Sequence, residues 1–211
     1  MPALTPETTR ARRDHIMAAA MRCFARNGYR GTAIRDICNE ADLSIGGLYA
    51  HFSGKEEILI AMAEKFHDQR EALYARGRAQ APAADPATAV AEIFRAMVKD
   101  YGTAAGDRER HADIVMLGEA LSIPLLKAVL VETDVQHITS FKALLDTANP
   151  DAAGSSLPLA NLITGSLFGL IILSAYHEDF DCESYIAALR DLLSQAADPR
   201  AAQLQQQGES Q

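Results

Sequence analysis

The chain has 211 residues, of which 48% are hydrophobic and 23% charged, a balance typical of a globular protein with one medium or two small domains. It has no Trp and only 6% aromatic residues. Together with the abundance of Ala and Leu, this composition predicts an all-α fold, because Ala and Leu lose little free energy in a helix whereas strands favour β-branched and aromatic residues. The net charge of −8, taken alone, argues against a nucleic-acid-binding protein.

The charge is divided unevenly along the chain. Residues 1–55 contain eight Lys and Arg against five Asp and Glu, a net charge of +3, so the remaining 156 residues sum to −11. A basic N-terminal region followed by an acidic remainder indicates that the N-terminal region contacts phosphate while the remainder has another role.

The first residues lack the basic start and the apolar run of a signal peptide, which predicts a cytoplasmic location. Three cysteines, Cys23, Cys38 and Cys182, form no paired framework and no C-x-x-C motif, as expected in a reducing compartment. We interpret each as a small buried hydrophobic residue, with a redox switch as the alternative.

The first predicted helix begins at Thr5 and Pro6, which have the pattern of an N-cap followed by proline at the first helical position. Asn27-Gly28 is expected to end it, since Gly readily adopts the backbone conformation that closes a helix. The residues expected on its buried face are Ile16, Ala20, Cys23 and Phe24.

The segment from Thr32 to Phe52 has the pattern of a helix-turn-helix. Thr32 is predicted to cap the second helix, and Ser44 is predicted to cap a third that runs to about His51. Asp42 occupies the turn position that usually needs a positive φ, which Asp tolerates better than most residues other than Gly. The apolar contacts expected to fix the helix crossing come from Ile37, Cys38, Ala41, Leu43, Leu48 and Phe52.

Ser53 and Glu56 form a predicted capping box that opens a long helix to about Arg76. The stretch from Gly77 to Pro86 is predicted to be a linker, and its Asp85-Pro86 to cap the next helix. Further helices are expected at about 108–121, 124–147, 156–177 and 181–196, and no strand is expected.

Two stretches resemble motifs of the TetR family of transcriptional regulators. The sequence L-Y-A-H-F-S-G-K-E at 48–56 matches the family's habitual L-Y-x-[HY]-F-x-x-K-[ED]. The sequence F-A-R-N-G-Y-R-G-T at 24–32 is similar to the family's F-x-x-x-G-[YF]-x-x-[TA], and the resemblance spans about Arg12 to Glu71. The resemblance implies a regulator that binds a double-stranded DNA operator, with repression by blocking polymerase as the usual mode.

The resemblance also implies the domain organisation. It predicts an N-terminal three-helix DNA-binding domain at residues 12–72, with the helix-turn-helix at about 33–52. A larger helical domain for effector binding and dimerisation is expected at residues 73–200, giving about nine helices in total. Residues 201–211, rich in Gln, are expected to be a disordered tail.

The predicted DNA contacts fall into two classes, those that position the protein on phosphates and those that recognise bases. Phosphate contacts are expected from Tyr49, His51 and Lys55, in and after the third helix. Thr32 and the backbone amides that begin the second helix are also expected to bind phosphates. Arg35 is expected on guanine O6 and N7, a contact that contributes about 1–3 kcal/mol of discrimination. The full predicted set is Thr32, Ala33, Arg35, Ser44, Ile45, Gly46, Gly47, Tyr49, His51 and Lys55.

The first turn of the predicted recognition helix, Ile45-Gly46-Gly47, departs from the family, whose members often carry polar or charged side chains there. Each helical Gly costs roughly 1 kcal/mol relative to Ala. Our hypothesis is that the glycines let the backbone approach the groove closely, with Ile45 against a thymine methyl and with Arg35 and Ser44 left to form hydrogen bonds. The alternative is a frayed helix of low selectivity.

The basic residues at the start of the first helix admit two interpretations. Arg10, Arg12 and Arg13 either touch flanking phosphates or a minor groove, or they belong to a solvated helix start.

The run from Leu157 to Tyr176 holds twenty residues without Asp, Glu, Lys or Arg, enough to cross a bilayer by length alone. Its acidic flanks and internal polar residues argue against a membrane span. We therefore interpret it, together with the helix at 181–196, as a homodimer interface, which the resemblance also implies. The predicted interface residues are Asn161, Gly165, Gly169, Leu189 and Leu193.

Members of this family usually have a cavity for a small effector in the larger domain. The candidate lining residues are Met97, Tyr101, Met116, Leu117, Leu121, Leu130, Phe141 and Phe168, with His111, His137 or His177 as polar anchors. Ordinary core packing is the alternative for each of them. A mostly apolar lining predicts an uncharged or lipophilic effector.

The sequence contains no motif of an enzyme. There is no Gly-rich phosphate loop, nucleophile elbow or Cys/His metal spacing, so neither catalysis nor a cofactor nor a metal is expected. The acidic group at 177–181 is a possible divalent-cation site or, alternatively, a solvated helix end. A ligand-binding protein that has lost DNA binding is a second alternative, against which the intact Tyr49, His51 and Lys55 argue.

Overall fold

The computed structural model describes residues 5–80, 85–99, 103–148 and 156–196. Within these ranges all regular secondary structure is α-helical, which confirms the predicted all-α fold. The nine helices found there are α1 (Pro6–Gly31), α2 (Ile34–Glu40), α3 (Ile45–Tyr49), α4 (Lys55–Gln80), α5 (Pro86–Val98), α6 (Ala104–Glu119), α7 (Pro124–Ala148), α8 (Ser156–Tyr176) and α9 (Cys182–Ala196).

Helix α1 begins as predicted. The side chain of Thr5 accepts a hydrogen bond from the amide of Thr8, and Pro6 is the first helical residue. Gly28 has a φ of 70° and interrupts the helical backbone, but the chain makes one more turn before α1 ends at Gly31. The predicted stop at Asn27-Gly28 is therefore a kink within α1.

The start of α4 differs from its prediction by one residue. Glu57, and not Glu56, accepts hydrogen bonds from the amide and hydroxyl of Ser53, at 2.7 and 2.8 Å. These bonds, above all the one from the Ser53 amide, hold the pKa of the Glu57 carboxyl below its usual range.

Helix α4 continues through Gly77 to Gln80, so the predicted linker is wrong for residues 77–80. One internal Gly costs only about 1 kcal/mol, which does not end a long helix. Residues 81–84 of the predicted linker lie outside the described residues. At its far end the side chain of Asp85 accepts a hydrogen bond from the Thr88 amide, which confirms the predicted cap of α5.

The later helices lie close to their predicted positions. Helix α6 begins and ends a few residues earlier than predicted, and the bounds of α7, α8 and α9 agree to within one residue. The predicted tail at 201–211 lies outside the described residues.

The chain divides into two compact units. The first comprises residues 1–69 and 100–135, and the second comprises residues 70–99 and 136–211. In the first unit, α6 packs on α1, and Met116 and Leu126 share one buried core with the apolar residues of α1 to α3. The boundary predicted at residue 72 separates a DNA-binding domain from an effector and dimerisation domain. The two compact units are defined by packing and not by function, so that boundary stays a prediction.

In the second unit, α5 packs on α9, and the aromatic rings of α4, α5 and α7 form a cluster. The ring centroid of Phe141 lies 5.4 Å from that of Tyr74, edge to face, and 6.3 Å from that of Phe94. Helix α8 is long and apolar enough to cross a membrane by length and composition, and one side of it is buried in the protein.

Candidate DNA-binding surface

Helices α2 and α3 cross over the apolar core predicted for them. Ile37, Cys38, Leu48 and Phe52 are buried, as is Ala41 at the end of α2. These side chains fix the crossing because close-packed residues leave the two helices no room to rotate. His15 of α1 adds a hydrogen bond of 2.8 Å between its Nε2 and the carbonyl oxygen of Ala41.

The turn between α2 and α3 has the predicted backbone conformation. Asp42 has a φ of 52°, the one positive φ of a non-glycine residue in the described part of the chain. The amide of Leu43 donates to the carbonyl oxygen of Cys38 at 2.9 Å, which closes the end of α2. The prediction for Asp42 is confirmed.

Helix α3 has one buried and one exposed side. Its N-cap is Ser44, as predicted, whose hydroxyl oxygen accepts a hydrogen bond from the Gly47 amide at 3.1 Å. Leu48 faces the core, whereas Ile45 and Tyr49 are 43% and 51% exposed. The helix ends at Tyr49, two residues before the predicted end at His51.

The two glycines of α3 have different surroundings. A Cβ atom added to Gly46 would meet nothing within 4 Å, so no packing inside the chain requires glycine there. A Cβ atom on Gly47 would lie 3.2 Å from the Ser44 hydroxyl oxygen, the acceptor of the cap. Gly47 therefore has a local structural role, and Gly46 has none within the chain.

The start of α2 differs from its prediction, because Thr32 does not cap this helix. Thr32 is 1% exposed, and its hydroxyl lies 2.7 Å from the carbonyl oxygen of Gly28, so it closes α1 and does not face solvent. The N-cap of α2 is Ala33, and the Ala33 amide donates to the carboxylate of Asp36 at 2.7 Å. Neither the Thr32 hydroxyl nor the Ala33 amide is therefore available to a phosphate in this structure.

Lys55 is also placed differently from its prediction. Its ammonium nitrogen donates to the carbonyl oxygens of Tyr29 at 2.9 Å and of Thr32 at 3.0 Å, and it lies 4.6 Å from the centroid of the Tyr29 ring. The side chain thus satisfies carbonyl groups at the end of α1. A phosphate contact by this ammonium would require those bonds to break.

The remaining predicted DNA contacts lie at the surface. Arg35, in the first turn of α2, is exposed and makes no ion pair with any described residue. His51 is half-buried, and its backbone oxygen is bonded by Arg13. The exposed side of α3 and the start of α2 therefore present Arg35, Ser44, Ile45, Gly46 and Tyr49 to solvent.

Several basic residues of the N-terminal region are bound within the protein. Arg22 and Arg26 both contact the carboxylate of Glu40, each at 2.6 Å. Arg30 lies 3.3 Å from Glu119 of α6. Arg13 contacts His51 and Phe52, just beyond the end of α3, a placement that neither interpretation offered for it from sequence predicted. For Arg10 and Arg12, which are exposed, both interpretations stay open.

The three cysteines differ in burial. Cys23 and Cys38 are buried, as predicted, whereas Cys182 is half-buried and not fully buried as predicted. Burial raises the pKa of the Cys23 and Cys38 thiols, which disfavours the reactive thiolate. Among the described residues, no group of three or more His, Cys, Asp or Glu could hold a metal ion.

The predicted effector-lining residues are spread over both units, and the structure does not gather them at one described site. Tyr101 lies outside the described residues. The first unit contains Met116, Leu117, Leu121 and Leu130, and the second contains Met97, Phe141 and Phe168. A cleft of about 590 Å³ in the first unit, between α1 and α4, is lined by charged residues such as Arg10 and Lys65 and by none of the predicted side chains.

The predicted lining residues also differ in how exposed they are. Leu121 is 87% exposed, which does not fit the lining of an enclosed cavity within this chain. Met116 and Phe141 are buried in the cores of their own units. Of the proposed polar anchors, His111 and His177 are exposed, and the buried His137 has its ring centroid 5.0 Å from that of Tyr74.

Asn161 and Gly165, two of the predicted dimer residues, lie on the exposed side of α8, and Leu189 of α9 is half-buried. Sequence reasoning missed the large apolar side chains that α8 exposes, because a helix that is apolar all round has no periodicity to mark its outer side. They are Leu157, Leu162, Ile172 and Tyr176, and α9 exposes Leu192 of its apolar stripe.

Gly169 and Leu193 face their own chain. A Cβ atom on Gly169 would lie 3.1 Å from the hydroxyl oxygen of Tyr185, which donates to the carbonyl oxygen of Ser166 at 2.9 Å. Gly169 therefore permits the packing of α9 on α8. Leu193 is buried within the chain and has little surface left for a partner.

Residues 16–62 match the model of a family described as bacterial regulatory proteins, tetR family. Over 65 residues the chain is 35% identical to the HTH-type transcriptional repressor AcnR of Corynebacterium diphtheriae, an alignment that covers 31% of this chain and 34% of that protein. The chain thus spans about a third of the length of the curated relatives it matches.

Solved structures resemble the chain along most of its length. A TetR-family transcriptional regulator from Bordetella parapertussis has a TM-score of 0.64 at 26% identity, over 85% of this chain and 92% of that one. A putative transcriptional regulator from Pseudomonas aeruginosa PAO1 has a TM-score of 0.77 at 18% identity, over 92% and 93%. At that identity the second likeness shows the fold alone. The matched proteins are transcriptional regulators, in agreement with the prediction that the chain is not an enzyme.

Proposed function

Because this chain belongs to the TetR family of transcriptional regulators, we propose that it is a sequence-specific DNA-binding repressor that acts in the cytoplasm as a homodimer. The observation that carries the proposal is the exposed side of α3. Ile45 and Tyr49 project from a helix whose opposite side is fully buried. A short surface helix that is held rigidly on one side and exposes side chains on the other fits the major groove of DNA.

Each exposed residue has a role in this proposal. Arg35 recognises guanine through O6 and N7, and Ile45 contacts a thymine methyl group. Gly46, which has no packing reason to lack a side chain, lets the backbone of α3 approach the groove. Tyr49 and His51 contact phosphates and thereby position the helix.

The homodimer is supported by the outer sides of α8 and α9. These helices expose Leu162, Ile172, Tyr176 and Leu192, and a second copy of the chain would remove these apolar side chains from water. A two-fold dimer carries two recognition helices about one helical turn of DNA apart, so the proposed operator is near-palindromic.

We further propose that a small lipophilic effector releases the repressor from its operator. In the second unit, Met97 and Phe168 are half-buried, and so keep apolar surface available to a ligand. Effector binding would favour dimers whose recognition helices do not fit adjacent grooves, a shift in population of a few kcal/mol. A thermal-shift screen of uncharged small molecules tests this, and a panel in which none raises the melting temperature would contradict a lipophilic effector.

The DNA-binding proposal is tested by selection from a random-sequence duplex library, followed by fluorescence anisotropy on the selected duplex. We expect a near-palindromic consensus. Arg35→Ala should lose about 1–3 kcal/mol of discrimination between that duplex and versions with one changed guanine. The matched control is Arg108→Ala, which removes the same charge from an exposed position on α6.

Two outcomes would overturn parts of this proposal. If the wild-type protein enriched no sequence, sequence-specific DNA binding would be wrong. If Arg35→Ala left the discrimination unchanged while wild type still selected a consensus, the assignment of base recognition to Arg35 would be wrong, and the function would stand.

A further inference from the structure

Arg13, in the second turn of α1, contacts the chain just beyond the recognition helix. Its Nη1 donates a hydrogen bond to the carbonyl oxygen of His51 at 2.5 Å and lies 3.4 Å from Oε1 of Glu57. The carbon at the centre of its guanidinium group is 4.0 Å from the centroid of the Phe52 ring. One side chain therefore contacts His51 and Phe52, in the segment just after α3, and the first turn of α4.

Helix α3 depends on such contacts because it has only five residues. A helix this short is not stable by itself, and its last carbonyl groups have no partner within the helix. A cation at this end also interacts favourably with the partial negative charge of the helix C-terminus. Ser44 caps the start of α3, and at its end the carbonyl oxygen of Leu48 accepts from the amides of His51 and Phe52. Arg13 bonds the His51 carbonyl oxygen and so holds the segment that closes α3 against α1.

The guanidinium group is suited to this place. It is planar, so it stacks on the Phe52 ring while its N–H groups donate in the plane of the group. Lysine could supply a charge and a donor but no stacking plane. The second oxygen of Glu57 accepts from the amide and hydroxyl of Ser53, so the contact extends to the connection between α3 and α4.

We propose that Arg13 is a positioning residue for DNA recognition, which sets the orientation of α3 without contacting DNA itself. This inference rests on the proposed function. Recognition of base edges requires α3 to be held to within about half an ångström, a precision that comes from the supporting contacts. Arg13→Met keeps an apolar side chain over Phe52 but removes the charge and the hydrogen bonds.

Three measurements on the full-length dimer test the inference. We expect Arg13→Met to bind the duplex selected by wild type about tenfold more weakly, the loss typical of one misplaced base contact. Binding to a random-sequence duplex should not change, and neither should the slope of log affinity against log salt concentration. Without DNA, hydrogen exchange of the amides at 48–53 should become faster. Arg108→Met, with the same loss of charge on α6, should match wild type in all three.

A direct phosphate contact by Arg13 would give a different pattern. Arg13→Met would then weaken binding to the selected and the random-sequence duplex equally, and would lower the slope of log affinity against log salt concentration by about one. Either result would contradict the inference. Unchanged exchange at 48–53 would also overturn it. Arg13→Lys keeps the charge and is the second variant if Arg13→Met does not fold. It should still lose selectivity, and wild-type selectivity in this variant would contradict the role of the guanidinium plane.

The two proposals fail in different ways. If the wild-type protein selected no duplex, the proposed function would fail, and with it the role in DNA recognition. The exchange measurement needs no DNA and would still show whether Arg13 orders the end of α3.

Discussion

The ammonium nitrogen of Lys55, the first residue of α4, donates a hydrogen bond to the carbonyl oxygen of Tyr29 near the end of α1, at 2.9 Å. The same nitrogen donates to the carbonyl oxygen of Thr32 at 3.0 Å. A cation here bonds carbonyl groups at the end of α1, where the Tyr29 oxygen also accepts from the Thr32 amide at 3.4 Å, and it interacts favourably with the helix dipole. Lys55 therefore links the start of α4 to the segment that leads into α2.

We expect Lys55→Met to lower the free energy of unfolding by about 1 kcal/mol, the lower range for a hydrogen bond to a charged group because the side chain is only partly buried. Chemical denaturation measures this change. The control, Lys127→Met, removes the same charge from an exposed position on α7 and should have little effect. Lys55→Met would instead support the phosphate contact predicted from sequence if it left stability unchanged and lowered the slope of log DNA affinity against log salt concentration by about one.

The pair of arginines on Glu40 predicts an acid-sensitive contact between α1 and α2. Hydrogen bonds from Arg22 and then Arg26 hold the pKa of the Glu40 carboxyl below its ordinary value of 4.5. A carboxyl with a lowered pKa stabilises the folded state above its ordinary pKa, and this contribution is lost as the pH falls from about 4.5 through the lower folded-state value.

Glu40→Gln should therefore be less stable than wild type at neutral pH, and the difference should shrink in acid. Denaturation curves at a series of pH values measure it. Glu132→Gln, at an exposed position of α7, is the control and should show no such pH dependence relative to wild type. A constant difference between Glu40→Gln and wild type across the acid range would mean that the carboxyl charge does not stabilise the fold.

Features decided by neighbouring residues could be predicted from the sequence. The start of α1 at Thr5 and Pro6, the positive φ of Asp42 and the Ser44 cap all depend on groups within one turn of the chain. The buried side of the helix-turn-helix followed from the spacing of apolar residues, such as Ile37 and Leu48.

Contacts between distant parts of the chain could not be predicted in this way. Nothing near Lys55 in the sequence reveals that Tyr29, 26 residues earlier, offers it a carbonyl oxygen. The same holds for Arg13, whose bond to His51 spans 38 residues. Both side chains were assigned to phosphate or solvent because a sequence motif shows which residues are basic but not which of them are bound within the protein.

The two glycines of α3 give a matched pair of variants. Gly46→Ala places its methyl group in open space, so we expect a gain in stability of up to about 1 kcal/mol from helix propensity. The same methyl group would stand between α3 and the groove, so binding to the selected duplex should weaken. Thermal unfolding and anisotropy measure the two effects.

Gly47→Ala should behave differently. Its methyl group would lie 3.2 Å from the Ser44 hydroxyl oxygen and disturb the cap, which typically contributes about 1 kcal/mol. We expect this variant to be less stable than Gly46→Ala. If Gly46→Ala bound DNA as tightly as wild type, close approach of the backbone to the groove would not explain the glycine.

The proposed dimer can be tested at Leu162 of α8, which is 67% exposed and lies on the outer side of that helix. In a two-fold dimer the same side of α8 meets its copy, so Leu162→Asp would place carboxylates near each other in an apolar interface, a cost of several kcal/mol. We expect this variant to be monomeric at micromolar concentration by size-exclusion chromatography with light scattering. It should also bind the palindromic duplex far more weakly, because each monomer supplies a single recognition helix.

Leu121, still more exposed, is the matched control because it lies in the turn after α6 and outside the proposed interface. Leu121→Asp introduces the same charge and should remain dimeric. The reverse result would be a dimeric Leu162→Asp and a monomeric Leu121→Asp. It would indicate that the interface contains Leu121 instead, together with exposed apolar residues of α7 such as Leu125 and Val135. Monomers for both variants and for wild type would reject the homodimer itself, and with it the reason for expecting a palindromic operator.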